Sequence, residues 1–194
     1  MSNEITLMKE IAKLQTQIDA LRTIEVAAPF LDDLRFPAIV GQRNPAVAKP
    51  DYDYTNLGFS FDASTQEIIY IIAQMPHDWV AGSTIYPHVH WMPTTTDTGN
   101  VYWAIDYKWT NIDAVDAGAV TTIGVIQAGT GTALTHQYAE MTAIAGTGKT
   151  SSSILSIALY RAASSGEDTY TGEALLKEFD IHYMKDPTKT YYVS

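Results

Sequence analysis

Residues 82–109, GSTIYPHVHWMPTTTDTGNVYWAIDYKW, contain two strand patterns separated by a turn. In the second pattern large apolar side chains alternate with smaller or polar ones, and they are Val101, Trp103, Ile105, Tyr107 and Trp109. In the first, His88 and His90 lie on the face opposite Trp91, because successive side chains of a strand point to opposite faces. Residues 93–100 are rich in turn-forming types. The stretch predicts a hairpin at the centre of an all-β domain.

Six further segments have strand patterns with Gly-, Ser- and Thr-rich punctuation between them. They are residues 57–61, 67–74, 120–127, 134–143, 154–161 and 175–185. With the two strands of the central stretch the total is about eight, which is typical of a jelly roll or a sandwich of two packed sheets. We therefore predict a mainly-β body over residues 56–194.

The first 23 residues form an amphipathic pattern that predicts a short helical stem. Its apolar side chains recur at alternating spacings of four and three, which is a coiled-coil seam, and they are Leu7, Ile11, Leu14, Ile18 and Leu21. An isolated helix of this length is marginal in water because nucleation is costly, so the seam needs a partner. Self-association through these five residues is the favoured interpretation, and packing on the chain's own body is the alternative.

Residues 24–55 carry four prolines and Gly41, so neither a long helix nor a central strand is expected there. The same segment contains Phe30, Leu34 and Phe36, which are too apolar for a free linker. We predict an extended, proline-rich arm that runs along its own domain or along a neighbouring subunit.

Composition excludes several classes of partner. The formal net charge of the 194 residues is -10, which argues against nucleic acids and anionic membranes because both attract basic surfaces. The chain has no cysteine, so disulfides and thiolate sites are excluded. No apolar run approaches the length of a membrane span, and charged residues near the start argue against a cleaved leader. A soluble protein without cofactors is the expectation.

Gly82, His88 and His90 match the first half of the metal-binding motif of cupins, in which two histidines of one strand point into a barrel. That motif continues with a glutamate four or five residues later, where this chain has Thr94 and Thr95. Only distant histidines remain as further ligands for a divalent ion, and they are His136 and His182. We therefore predict no metal, and interpret His88 and His90 as a hydrogen-bonded pair in the core or at an interface.

Two other motifs have structural explanations. The segment AIAGTGKT (residues 143–150) fits a relaxed phosphate-loop pattern, but strand patterns flank it where a phosphate loop needs a following helix. A Gly-rich hairpin loop is predicted instead. Asp180 and His182 could belong to a hydrolytic triad, yet they alternate with apolar residues as in a half-buried strand, and no nucleophile elbow is present. Stacking of sugars on exposed aromatic side chains is an open alternative.

Several phrases, taken together, resemble a family of virion proteins of tailed bacteriophages. They are LDDLRFP (31–37), QMPHDW (74–79), IYPHVHW (85–91), GTGKT (146–150) and FDIHY (179–183). The resemblance extends from the arm nearly to the C-terminus and omits the helical stem. It implies a structural protein of the particle with a β-sandwich body, often trimeric, and without an enzymatic site. The phosphate-loop look-alike belongs to the family's pattern, which also favours a structural turn.

The combined expectation is a homotrimeric virion protein that decorates or cements the capsid surface. It would attach through its N-terminal region to the major capsid protein or another virion protein, and it would have no catalytic, cofactor or metal residues. A tail or fibre component is the structural alternative. A cupin-like metal-binding enzyme that uses His88 and His90 is the alternative from a different class.

Overall fold

The computed structural model describes residues 2–189, without the side chains of residues 2–3 and 23–27. Met1 and the last five residues of the predicted body lie outside the described part. One helix, α1 (Ser2–Ala27), precedes the strands. The strands are β1 (Phe30–Pro37), β2 (Asp51–Asp53), β3 (Gly58–Phe61), β4 (Ile68–Gln74), β5 (Tyr86–Pro93), β6 (Asn100–Thr110), β7 (Thr121–Ala128), β8 (Gln137–Glu140), β9 (Ile154–Arg161) and β10 (Ala174–Lys185).

These strands form two antiparallel sheets. The six-stranded sheet has the order β2-β3-β10-β5-β8, and the four-stranded sheet has the order β4-β9-β6-β7. The sixth strand of the larger sheet is β1, which pairs with β10 in the register Phe36↔Phe179. Strand β10 accommodates both β3 and β1 on one side because it is 12 residues long and each neighbour pairs with a different part of it.

The hydrophobic core lies between the two sheets. Trp91 on β5 meets Trp103 on β6 with ring centroids 6.2 Å apart, and Phe61 on β3 meets the same Trp103 at 5.1 Å. The alternating apolar side chains of β6 and β10 are buried in this layer as the period-two pattern predicts, and they include Val101, Trp103, Ile105, Phe179 and Ile181. The predicted mainly-β sandwich with a single N-terminal helix is therefore confirmed at the level of two packed sheets.

The predicted central hairpin is wrong. Strand β5 pairs with β10 and β8, whereas β6 pairs with β7 and β9 in the other sheet. The connection at residues 94–99 crosses from one sheet to the other. Alternation shows only which face of a strand meets the core, and two consecutive strands satisfy it equally well by facing each other across the core.

The structure extends the predicted stem and leaves it uncovered. Helix α1 runs to Ala27, four residues beyond the predicted end. Every side chain between Glu4 and Arg22 is exposed, so this part of the helix does not lie on its own sandwich. The five seam residues are between 45% and 63% exposed, and they are Leu7, Ile11, Leu14, Ile18 and Leu21.

The segment predicted as an arm follows the sandwich for part of its length. Strand β1 lies within it, where Leu34 and Phe36 pack partly buried against the core. Gln42 then forms an isolated bridge with Tyr70 of β4. Several apolar side chains of the segment are exposed, and they include Phe30, Leu31, Ile39 and Val40. The segment thus contacts both sheets and keeps an apolar outer surface.

Among residues 2–189, no helix has both the length and the apolar content needed to cross a membrane.

Candidate functional site

Four of the five histidines of the chain gather on the outer face of the six-stranded sheet. His88 and His90 extend from β5 on this face because Val89 between them points into the core. Strand pairing places Asp180 of β10 directly beside His88 and places His182 two residues further along the same strand. The antiparallel register therefore sets imidazoles and a carboxylate side by side on two neighbouring strands.

The centre of this cluster is Asp180, which lies between two imidazoles. Its Oδ1 is 2.5 Å from Nε2 of His88, and its Oδ2 is 3.4 Å from Nε2 of His90. One ligand-type atom from each of the three residues lies within 4.8 Å of those of the other two. The side chains of His88 and Asp180 are 3% and 5% exposed, whereas that of His90 is 25% exposed. The cluster is closed towards the sheet and open beside His90.

Apart from its close contact with His88, Asp180 Oδ1 has no polar partner among the described residues. At 2.5 Å this contact is shorter than an ordinary N–H···O hydrogen bond. A buried carboxylate oxygen loses its hydration, and here the contact with His88 is what offsets that loss.

The other ring nitrogens of the two central histidines point to acceptors or donors at the edge of the cluster. His88 Nδ1 is 3.4 Å from the carbonyl oxygen of Tyr86, and His90 Nδ1 is 2.8 Å from Nε2 of His136. The rings of His90 and His136 stack with centroids 5.0 Å apart. Each central imidazole is therefore oriented by a second contact, with Nε2 facing Asp180.

His182 completes the cluster on the side of β1. Its Nε2 is 2.9 Å from Oδ1 of Asp33, and its ring centroid is 4.2 Å from that of His88. Both Asp33 and His182 are partly open to solvent, with side chains 46% and 33% exposed. The His182 ring therefore packs against His88, and the carboxylate partner of His182 is Asp33 rather than Asp180.

Electrostatics make the two central imidazoles unlike each other. Burial lowers the pKa of His88, but the adjacent Asp180 carboxylate raises it more, so the net shift is upward. Burial also lowers the pKa of His90, and repulsion from His88 and His136 adds to this against the attraction of Asp180, so the net shift is downward. Near neutral pH a proton is therefore held more firmly by His88 than by His90.

These positions correct the expected surroundings of the histidines. His88 and His90 point away from the core, whereas the cupin motif directs its pair into a barrel. Thr94 and Thr95 occupy the cupin glutamate positions and bind the connection before β10, through the Glu173 carbonyl and the Tyr170 hydroxyl. His136 and His182, expected to be distant, lie at the edges of the cluster.

Sequence reasoning missed the role of Asp180. The alternation of residues 179–183 places its side chain opposite Phe179 and Ile181, which is correct, but this pattern predicts only a half-buried strand and no partner for the carboxylate. Only the register between β5 and β10 shows that it faces His88. Asp180 contacts His88, whereas His182 contacts Asp33. Asp180 and His182 therefore do not form the acid–histidine pair of a hydrolytic triad.

The phosphate-loop look-alike is a connection between the sheets. It links β8 of the six-stranded sheet to β9 of the four-stranded sheet, so the predicted loop between two strands is confirmed but the predicted hairpin is wrong, and the next regular element is a strand rather than a helix. Lys149 Nζ donates to the carbonyl oxygen of Trp109 at 2.5 Å and lies 5.9 Å from the centroid of its ring. Lys149, which would bind phosphate in a phosphate loop, instead holds this connection against β6.

Comparison with known proteins gives few matches. No protein-family model matches the chain, and no curated protein is significantly similar to it. Among solved structures, CBM35 from Cellvibrio japonicus Abf62 is similar with a TM-score of 0.44 at 11% identity, covering 77% of this chain and 92% of that one. TmCBM61 in complex with β-1,4-galactotriose is similar with a TM-score of 0.37 at 11% identity, covering 82% and 92%.

A third similar structure is dimeric latent PorU from Porphyromonas gingivalis. The TM-score is 0.41 at 8% identity, and the match covers 81% of this chain but 13% of PorU. All three superpositions are loose, and sandwiches of this kind carry many unrelated functions. No ligand or activity is transferred from them.

Proposed function

We propose that this chain is a structural protein of a bacteriophage virion, a homotrimeric decoration or cement protein that attaches to the capsid surface through its N-terminal region. The observation that carries the proposal is the uncovered α1 helix with its apolar seam. The resemblance of the arm and sandwich phrases to virion proteins supplies the biological setting and the trimeric state. The proposal assigns the chain no enzymatic activity.

The seam supports assembly because it is unfavourable in a single chain. A 26-residue helix whose side chains from Glu4 to Arg22 are all exposed relies on its own marginal helix stability. Full burial of a leucine or isoleucine side chain contributes about 1.5–3 kcal/mol, and each chain presents five such side chains at coiled-coil spacing. Packing copies of α1 against one another is the arrangement that buries this stripe and leaves the polar faces in water.

The trimeric state is the most specific part of the proposal. Ile11 and Ile18 occupy one core position of the heptad and the leucines occupy the other, a combination that favours two strands in parallel coiled coils. The trimer therefore depends on contacts beyond α1. The exposed apolar side chains of the arm are suited to supply them, and they include Phe30, Leu31, Ile39 and Val40.

The experiment introduces charge into the seam. Ile11→Asp with Ile18→Asp should separate the subunits, because like charges would meet at the axis without partners. The control is Ala12→Asp with Ala20→Asp, which adds the same two charges to outward positions of the same helix. Light scattering measures mass, circular dichroism measures the sheets, and binding to capsids that lack the protein measures attachment.

We expect the control to remain trimeric and to bind capsids, and the seam variant to lose mass and attachment while its sheets persist. A wild-type protein that is monomeric at all concentrations would overturn the assembly. A wild-type dimer would overturn the trimer. Capsid attachment that is unchanged in the seam variant would contradict the anchoring role, and binding to tails instead of capsids would favour the tail or fibre alternative.

The second candidate function is the cupin-like metal-binding enzyme. The convergence of His88 and His90 on Asp180 favours a metal, but the position of the pair on the outside of a sheet removes the enclosed barrel in which a cupin holds its substrate. The geometry thus supports metal binding more directly than catalysis.

A further inference from the structure

We propose that His88, His90 and Asp180 bind a divalent transition-metal ion of the zinc class on the outer face of the six-stranded sheet. This site goes beyond the virion role and does not depend on it. Sequence reasoning set a metal aside because the motif lacked a third ligand near the two histidines. Asp180 supplies that ligand from the neighbouring strand.

The three ligand atoms lie within 4.8 Å of one another, close enough to surround such an ion after the side chains adjust. Zinc binds imidazole nitrogen and carboxylate oxygen at about 2.0–2.2 Å in tetrahedral geometry, which places ligand atoms roughly 3.3 Å apart. His90 Nε2 and Asp180 Oδ2 are 3.4 Å apart already. His88 Nε2 and Asp180 Oδ1 are 2.5 Å apart, so a modest rotation of either side chain suffices.

The buried Oδ1 of Asp180 indicates that a bound cation would stabilise this position. The contact of His88 Nε2 with Oδ1, at 2.5 Å, is shorter than an ordinary charge-assisted N–H···O hydrogen bond, and no other group of the described residues bonds to this oxygen. A cation bound between the carboxylate and the two Nε2 lone pairs would offset the cost of burying the charge.

The contacts around the cluster prepare the histidines as ligands. Metal-bound histidines generally donate their other ring N–H to a carbonyl or another acceptor, which fixes the tautomer and the orientation of the ring. The Tyr86 carbonyl lies near His88 Nδ1, and His136 Nε2 lies near His90 Nδ1. Protons on both Nδ1 atoms leave both Nε2 atoms free to coordinate.

Two imidazoles and one carboxylate leave at least one coordination position open. The open side is next to His90, the most exposed of the three ligands, and is bordered by the exposed His136 and Tyr138. Imidazole with carboxylate suits zinc, cobalt, nickel and iron(II) better than magnesium or calcium, which prefer oxygen ligands alone. An ion here would join β5 to β10 and stiffen the centre of the sheet.

The experiment uses the full-length protein after treatment with a chelator and titrates it with Zn²⁺ by calorimetry. We expect one ion per chain and a melting temperature that rises with Zn²⁺ concentration. Co²⁺ should give visible absorption bands of a site with nitrogen ligands. Removal of one ligand in His90→Gln should abolish this binding, and His77→Gln, a histidine on another part of the chain, should leave it intact.

Two further variants test the carboxylate ligand and the contact that orients His90. Asp180→Asn preserves shape and should lose saturable Zn²⁺ binding, and circular dichroism of the metal-free protein checks that it is folded. His136→Gln removes a contact to a ligand and should weaken binding about 10–100-fold without abolishing it. The proposal is wrong if wild type shows no saturable binding of Zn²⁺ or Co²⁺, or if binding survives in folded His90→Gln and Asp180→Asn.

Discussion

Arg161 is the largest charged side chain enclosed in the sandwich, and its exposed fraction is 0%. Its Nε and Nη2 donate to the two carboxylate oxygens of Asp168 at 2.9 and 2.7 Å. The remaining donors reach backbone carbonyls of the same connection, at Gly172 (2.7 Å) and at Tyr170. This planar fork ties the end of β9 to the connection before β10, and it satisfies a charge that would otherwise be costly to bury.

We expect Arg161→Met to destabilise the fold by about 3–5 kcal/mol, because it leaves the Asp168 carboxylate buried without its cation. Arg161→Lys retains the charge but loses the fork, so it should fall between wild type and Arg161→Met. Urea unfolding followed by tryptophan fluorescence measures both.

The matched control is Arg35→Met on the surface. Arg35 also forms a two-bond pair, with Glu178 at 2.6 and 2.7 Å, but its side chain is 65% exposed. We expect Arg35→Met to cost much less than Arg161→Met, because a solvated guanidinium gains little from its ion pair, even though the Glu178 side chain is only 14% exposed. Equal losses in Arg35→Met and Arg161→Met would contradict the role given to burial.

At the scale of elements, two connections hold the sheets together at one end of the sandwich. The β5–β6 connection meets the β9–β10 connection, where Asp97 accepts hydrogen bonds from the backbone N–H and the hydroxyl of Thr171, both at 2.7 Å. Gly99 N–H donates to the same carboxylate at 2.9 Å. The Thr171 backbone bond first, then its hydroxyl and Gly99, lower the pKa of Asp97 to about 2.

This shift predicts the acid response of the junction. The pKa of Asp97 in the folded state lies below its ordinary value of 3.8, so the carboxylate stabilises the fold above pH 3.8. That contribution is lost as the pH falls through about 2. In melting experiments from pH 6 to pH 2, wild type should exceed Asp97→Asn at the upper end, and the difference should shrink below pH 4. A difference that stays constant across the range would show that the charge of Asp97 is not responsible.

At the scale of the whole molecule, we expect the sandwich to fold and remain stable without α1. The core is enclosed by the two sheets, and the described side chains of α1 from Glu4 to Arg22 are exposed. About 160 residues bury enough surface to fold as one unit. We expect a chain that begins at residue 28 to keep its β-sheet spectrum and to melt within a few degrees of the full-length monomer.

The same truncation should lower the mass measured by light scattering. The full-length seam variant with Ile11→Asp and Ile18→Asp is the appropriate comparison, since it keeps the chain length and disrupts only the seam. A truncated chain that fails to fold would mean that α1 stabilises the sandwich through contacts that a single chain does not show.

The period of the apolar residues was sufficient to predict much of this protein. Alternation along residues 101–109 and 179–183 identified strands and the faces that they bury, because the side-chain period of a strand is a local property. The heptad spacing of α1 likewise identified which helix face is apolar. Composition was enough to exclude disulfides. Each of these conclusions depends on neighbours close in sequence.

Tertiary structure alone decided which strands pair, and with that the candidate site. Strands β5 and β6 are adjacent in sequence but lie in opposite sheets, whereas β5 and β10 are about 90 residues apart and pair directly. His88, His90 and Asp180 therefore meet only through a long-range register. Any partner that covers the same face of a strand satisfies its alternation, so the local pattern does not determine which strands pair. The packing of both sheets around one core selects the pairing.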